Sequence, residues 1–305
     1  MGMSESWLQR LGHIGHLRRE ISINPFTRGR PLGAWSRFLR WQTIDRALGG
    51  ERDAPFVNDL VIQVRHGRAA ATGVLYLGLP EVESMAFFAH ALRPGDMFLD
   101  VGANIGTYSV LAAGVAGCRV MAMEPVPETH ALLVGNLRRN SLLALAQPLN
   151  VAASDRAGTV RMTSAEDSTN HVLGAGERGG IEVRTATLDE LVKVEGPVFM
   201  KIDVEGHEAP ALAGASRLMG DPRLEAIAME FAGCGTQFGI DERALYRSVV
   251  DRGFESCSYD PETRCLAPCA GGPDRPGNTI FVRDRAAVQR RLKDAPPIRV
   301  FGTSL

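Results

Sequence analysis

The residues able to do chemistry gather in two short stretches. In the first, Met97-Phe-Leu-Asp-Val-Gly-Ala-Asn-Ile-Gly106, an apolar run carries one acid, Asp100, and breaks at Gly102 and Gly106. The pattern predicts a buried strand, a sharp turn and a helix start whose outward-pointing N–H groups can receive an anionic group. In the second, Val198-Phe-Met-Lys-Ile-Asp-Val-Glu-Gly-His-Glu208, an apolar strand turns charged at its end. Lys201, Asp203 and Glu205 alternate along it, and Gly206 marks the turn. A lysine and acids inside a parallel-sheet strand are expensive unless paired or used, and such strand ends lie on the edge where open α/β sheets bind ligands.

A second apolar run, residues 119–123, ends in Glu124-Pro125, where a doubly wound sheet places the acid that accepts ribose hydroxyls. The segment from Gly102 to Gly106 lacks the tight Gly-x-Gly of a dinucleotide loop, and Asp100 sits inside the strand before it, so an NAD-type site is disfavoured. Two histidines compete as general base. His171 closes Asp167-Ser-Thr-Asn-His171, the start of a loop rich in glycine (Gly174, Gly176, Gly179, Gly180) able to close over the site, and is the favoured one. His207 follows the charged strand and otherwise caps or orients the next helix. Asp203, Glu205 and Glu230 are hard oxygen ligands suited to a divalent cation, but pairing of one of them with Lys201 is expected instead, and no metal is assigned.

Residues 83–92 read as a helix ending at Arg93-Pro-Gly95, and helices are expected from the cradle to about Gly114 and over 129–140. Further strands are expected at 147–152, 159–162, 183–187, 198–202, 226–231 and 279–283. Strands alternating with helices predict a largely parallel sheet covered on both faces. The strand at 255–259 and the one after it lack an intervening helix, which predicts an antiparallel terminal hairpin. Before residue 81 the tone differs: eight arginines face three acids between Met1 and Arg46. Residues 34–48 place Trp35, Phe38, Leu39, Trp41, Ile44 and Leu48 at helical spacing, predicting an amphipathic helix that packs on the rest of the chain or on a sister subunit, with adhesion to an anionic membrane as the sharper alternative. Residues 57–64 and 71–77 read as a β-hairpin around Arg65-His-Gly-Arg68.

The 305 residues, 45% hydrophobic and 23% charged, fit one α/β domain with an N-terminal extension, and a net charge of -1 argues against bulk nucleic-acid binding. Five cysteines, an odd number, and no secretory signal favour reduced thiols and a cytoplasmic setting; no apolar run is long enough to span a bilayer. Cys257, Cys265 and Cys269 lie close in sequence but have no neighbouring fourth ligand and no Cys-x-x-Cys pair, so zinc is not expected.

Taken together, Leu99-Asp-Val-Gly-Ala-Asn-Ile-Gly106, Glu124-Pro125, Val151-Ala-Ala-Ser-Asp155, Thr187-Leu-Asp-Glu-Leu191 and Lys201-Ile-Asp-Val-Glu-Gly-His-Glu208 resemble the motifs of the FkbM-type family of S-adenosylmethionine-dependent methyltransferases, over about residues 81–283. The resemblance implies a Rossmann-like class I fold of seven strands with the last antiparallel, a transferase domain at 81–305 and an extension at 1–80. It implies S-adenosylmethionine as cofactor, held by Asp100, Gly102, Asn104, Gly106, Tyr108, Glu124, Pro125 and Ala153. Asp100 would attract its ammonium, Glu124 its ribose, and Pro125 with residues 151–154 would flank its adenine. His171, His207 and Asp203 are then the catalytic candidates, and Asn170, Glu205 and Glu230 the substrate contacts. The expected reaction is O-methylation of a hydroxyl on a sugar, glycan or secondary metabolite. Carboxyl methylation, which needs no general base, and a non-catalytic cofactor-binding scaffold are the alternatives. A homo-oligomer formed through the N-terminal arm is a further expectation.

Overall fold

The computed structural model describes residues 7–47, 49–65, 69–164, 170–174, 178–231, 241–269 and 277–305. Helices α1 (Trp7–Ile23) and α2 (Pro31–Arg40) come first, α2 widening into a π turn over Trp41–Asp45. A hairpin of β1 (Glu51–Pro55) and β2 (Val61–Arg65) precedes α3 (Ala69–Leu77) and α4 (Val82–Ala91). From β3 (Met97–Val101), strands alternate with helices through α5 (Thr107–Ala116), β4 (Arg119–Met123), α6 (Pro127–Arg139) and β5 (Ala146–Leu149). The chain then detours through β6 (Ala152–Ala153), β7 (Gly158–Met162), β8 (Ile181–Ala186) and α7 (Leu188–Leu191). Alternation resumes with β9 (Val198–Ile202), α8 (Glu208–Ala213), α9 (Ser216–Gly220), β10 (Leu224–Phe231) and α10 (Glu242–Val250). Last come β11 (Glu255–Asp260), β12 (Cys265–Pro268), β13 (Gly277–Val282), α11 (Arg285–Lys293) and a small hairpin, β14 (Arg299–Val300) with β15 (Thr303–Ser304).

The central sheet runs in the order β12-β11-β13-β10-β9-β3-β4-β5. Strands β10, β9, β3, β4 and β5 are parallel, whereas β13 is antiparallel to both β10 and β11. This is a Rossmann-like fold in which the strand order reverses between β3 and β9, the switch point where ligands enter such sheets. Side-chain alternation divides the core accordingly. Phe98, Val120, Ala122, Phe199 and Ala228 join the helices α4 and α5 on one face; Leu99, Val101, Met121, Met123, Met200 and Ile202 join α8 and α9 on the other.

Several expectations are corrected. The N-terminal hairpin is built from Glu51–Pro55 and Val61–Arg65, and the run expected as its second strand, 71–77, is helical. Ala69-Ala-Ala favours helix, and a segment apolar on every side has no period from which to tell the two apart. Residues 66–68 of the expected turn lie outside the described residues. The expected strand at 147–152 is two strands, because the chain leaves the central sheet after Leu149 and pairs β6 with β8 in a separate three-stranded sheet, β6-β8-β7. The strands expected at 159–162 and 183–187 therefore form this side sheet rather than the central one. The central sheet also gains an eighth strand, β12, at its edge. Helix α1 had no counterpart in the sequence reading.

The arm packs against the rest of the chain. Ala34 and Trp41 are fully buried in the larger core, and the Asn24 side-chain amide donates to Leu79 O at 2.8 Å. Helix α6 ties down β2: Val61 N–H donates to Asn140 Oδ1 and Gln63 N–H to Asn136 Oδ1, both at 2.9 Å. Leu39 and Ile44, expected on the buried face, are instead exposed, because the packed face is carried by Ala34, Trp35, Phe38 and Trp41; Leu48 lies outside the described residues. Cys118, Cys257, Cys265 and Cys269 are free, and Cys234 lies outside the described residues. No described helix is long and apolar enough to cross a membrane.

Candidate active site

A cavity of about 360 Å³ opens over the carboxyl ends of β3, β4, β9 and β10. The turn after β3 forms its floor. Gly102 has φ +81°, and a Cβ placed there would lie 1.8 Å from the Asp203 carbonyl oxygen, so only glycine lets the turn lie against the end of β9. Gly106, φ +87°, does not line the cavity: it seats α5 against Leu133 of α6. Asn104 also has positive φ, +50°, and its N–H donates to Glu124 Oε2 at 3.0 Å. Glu124 Oε1 accepts from Val126 N–H at 2.9 Å, so two backbone amides fix the carboxylate at the end of β4. Met123, Pro125, Val126, Val151, Ala152 and Ala153 give this end an apolar wall.

Deeper in, the neighbours Asp100 of β3 and Lys201 of β9 share a register position. Both are buried. Asp100 Oδ2 accepts the Ser109 hydroxyl at 2.6 Å, whereas its Oδ1 is buried without a partner. Burial raises the Asp100 pKa, with Lys201 opposing. Thr129 Oγ1, on the cavity wall beyond Glu124, is also buried and unpartnered. Both residues line the one cavity, and buried polar atoms without partners are what a bound polar group could satisfy. An acceptor at Asp100, a fixed carboxylate at Glu124 and the apolar wall of residues 151–153 fit the ammonium, ribose and base of S-adenosylmethionine.

The opposite wall is acidic. The Lys201 ammonium donates to Asp203 Oδ2 at 2.6 Å and stands 4.8 Å from the Tyr108 ring centroid. Burial would lower the Lys201 pKa, but Asp203, Glu81 and Asp100 hold it above the ordinary lysine value. The same contact keeps Asp203 ionised against the effect of burial. Ligand oxygens of Asp203, Glu205 and Glu230 lie within 4.8 Å of one another. Burial first, then the Asp203 charge and a hydrogen bond to Asp203, pushes Glu230 up to about 9. Burial with Asp203 and Glu208 raises Glu205 to about 7. Three close acids could hold a cation, and Lys201 already pairs with one of them, Asp203.

Both histidines come near. His207 lines the cavity with its Nε2 3.1 Å from Ser154 Oγ, and burial lowers its pKa, leaving the imidazole neutral near pH 7. Asn170 and Val172 line the cavity on either side of His171, which is not among the lining residues; His171 acts electrostatically on Glu205. Of the glycine-rich loop, Asp167, Ser168, Thr169 and Gly176 lie outside the described residues.

Two supports were not read from the sequence. Glu81, before α4, accepts the Tyr108 hydroxyl at 2.6 Å and the Asn278 side-chain amide, joining α4, α5 and β13 at the cavity edge. Nothing in its local sequence marks it. Glu208 lay within the recognised motif without a role; its Oε1 accepts Val204 N–H at 3.1 Å and Gly206 N–H at 3.3 Å, fixing the turn that presents Glu205 in a left-handed conformation, φ +47°.

The profile of the methyltransferase FkbM domain matches residues 100–242. Hexuronic acid methyltransferase AglP of Haloferax volcanii is 32% identical over 127 residues, 41% of this chain and 52% of that protein. The 31-O-demethyl-FK506 methyltransferase FkbM of Streptomyces tacrolimicus is 42% identical over 79 residues, 26% of this chain and 30% of that one. The chain thus matches about half the length of AglP and less than a third of FkbM. Among solved structures, methyltransferase FkbM from Methylobacillus flagellatus is similar at 19% identity and a TM-score of 0.42, covering 70% of this chain and 53% of that one. The matched segment begins at Asp100 and contains Glu124, Lys201, Asp203, Glu205 and Glu230, and over this segment the chain is similar to the methyltransferase FkbM domain.

Proposed function

We propose that the chain is an S-adenosylmethionine-dependent O-methyltransferase whose acceptor is a hydroxyl of a sugar, glycan or secondary metabolite. The observation that carries the choice of hydroxyl is the acidic wall. Among the described lining residues Lys201 is the only lysine or arginine, and it is already paired with Asp203. A wall that keeps a proton on Glu230 up to about pH 9 rather than hold another negative charge would reject an acceptor carboxylate for the same reason. A neutral polyol meets no such penalty, and Asn170, Glu205 and Glu230 offer it hydrogen bonds.

When bound, the cofactor supplies a methyl group on a sulfonium for in-line displacement, and positioning is most of what the protein must provide. Asp100, Asn104, Tyr108, Glu124, Pro125 and Ala153 form the cofactor end, with Gly102 and Gly106 shaping it. Glu205, Glu230 and Asn170 hold the acceptor. Neutral His207 takes the hydroxyl proton, Asp203 stays charged beside Lys201, and His171 tunes Glu205. Residues 81–305 make up the transferase domain, residues 1–80 its extension, and the protein works in the cytoplasm. The hexuronic acid in the name of AglP supports a sugar acceptor. It also favours the second reading, carboxyl methylation, since a hexuronic acid carries both groups. Calorimetric titration with S-adenosylmethionine and with NAD tests the cofactor assignment: binding of the first alone is expected, and binding of NAD alone would refute it.

A further inference from the structure

Among the described residues, six large hydrophobic side chains are exposed, and Ile23, Leu32, Leu39 and Ile44 of the arm supply four of them. Leu32 is 83% exposed, Leu39 59% and Ile44 54%, far more than stray contacts on an otherwise packed helix. Leu32 and Leu39 are seven residues apart, two helical turns, and so share one face of α2. The π turn after α2 draws residues five apart closer than an α-helix does, bringing Ile44 toward the Leu39 side. The rest of the helix is spent, since Ala34, Trp35, Phe38 and Trp41 pack into the core. Arg37 is spent as well, donating to the Leu75 and Tyr76 carbonyls. The helix is thus two-sided, one side docked and the other carrying bare leucines.

The exposed charge of residues 17–46 has one sign. Arg18, Arg19, Arg28, Arg30, Arg40 and Arg46 are exposed, while the acids of the same segment are half-buried Glu20 and buried Asp45, the latter paired with Arg40 and Arg52. Arg28 is paired with Glu262 of the loop after β11. We infer that this face of α2 and the π turn docks the protein on an anionic membrane surface, leucine and isoleucine entering the headgroup boundary and Arg30, Arg40 and Arg46 meeting lipid phosphates. Apolar side chains flanked by arginine are the composition that lies in such an interface. A second copy of the chain fits less well, because a two-fold contact through this face would press these arginines against their own counterparts. Helix α2 packs on α3, whose Gly73 lines the cavity, so docking holds the catalytic mouth one helix away from the lipid.

The test is flotation of the full-length protein with vesicles of phosphatidylglycerol and phosphatidylcholine against vesicles of phosphatidylcholine alone. Binding only to the anionic vesicles, weakening with salt, is expected. Each arginine near an anionic surface contributes roughly fivefold to partitioning, so the double variant Arg30→Gln/Arg46→Gln should bind about 25-fold more weakly. Leu32→Ser/Leu39→Ser should lose flotation at any salt, with thermal unfolding of both variants unchanged. No flotation of the parent, or equal flotation with neutral vesicles, would overturn the inference. So would a dimer in solution that Leu32→Ser/Leu39→Ser dissolves while leaving vesicle binding intact.

Discussion

Replacing Glu230 by glutamine removes a proton site while leaving a group of the same shape to hydrogen-bond Asp203. In the folded protein Glu230 titrates at about 9, against an ordinary value of 4.5. Above pH 4.5 the unfolded chain has released a proton that the folded chain still holds, so unfolding releases it and stability falls as pH rises through that window. The slope is about 1.4 kcal/mol per pH unit for one proton. Glu205, raised to about 7, adds its own loss from pH 4.5 to pH 7 in both proteins, and this largely cancels in the comparison. Between pH 6 and pH 8, Glu230→Gln should therefore gain on the parent by about 2 to 3 kcal/mol, the lower figure allowing for solvent at this half-buried carboxyl. Urea unfolding at pH 6, 7 and 8 reads this as a stability difference that widens with pH. Parallel profiles would show that Glu230 ionises normally, and the electrostatic reason for a neutral acceptor would fall with it.

Glu124→Gln should weaken S-adenosylmethionine binding by roughly 1.5 to 3 kcal/mol, about 10- to 150-fold by calorimetry, because an amide cannot accept from two backbone N–H groups and ribose hydroxyls together. Unchanged affinity in the folded variant would remove Glu124 from the cofactor site. Gly102→Ala should cost about 3 kcal/mol or more in denaturant unfolding, because its Cβ would meet the Asp203 carbonyl at 1.8 Å and the residue sits at φ +81°. A stable variant would mean that the turn can move off β9. His207→Gln should slow single turnover by ~10²-fold or more with cofactor affinity kept, and His171→Gln should slow it less. If both stay within a few-fold of the parent from pH 6 to 8, general-base catalysis fails and carboxyl methylation gains.

The cofactor half of the site was legible because local sequence determines it. Glycines at 102 and 106, an acid inside the strand and an acid at the end of the next strand each report on a turn or a strand end, and parallel pairing then sets Asp100 beside Lys201. The catalytic half was less legible because its partners meet across the fold. Glu81 reaches Asn278 from almost two hundred residues away, and no periodicity encodes that contact. The side sheet was misplaced because a strand pattern does not say which sheet a strand joins. Strand β1, Glu51-Arg-Asp-Ala-Pro55, was missed because Ala54 is its only fully buried residue, leaving no apolar alternation to read. Helix α2 was recognised as amphipathic, but its two apolar sides read as one face until the π turn separated buried Trp41 from exposed Ile44.

The central claim, methyl transfer to a hydroxyl, is tested most directly by incubating the protein with methyl-labelled S-adenosylmethionine and an extract containing its acceptor, then treating the labelled product with mild alkali. A methyl ether survives alkali, whereas a methyl ester releases its label as methanol. The account predicts label transferred to a neutral product and retained through alkali, with transfer reduced by Glu124→Gln. Label transferred and then lost quantitatively as methanol would contradict it and assign the site to a carboxylate.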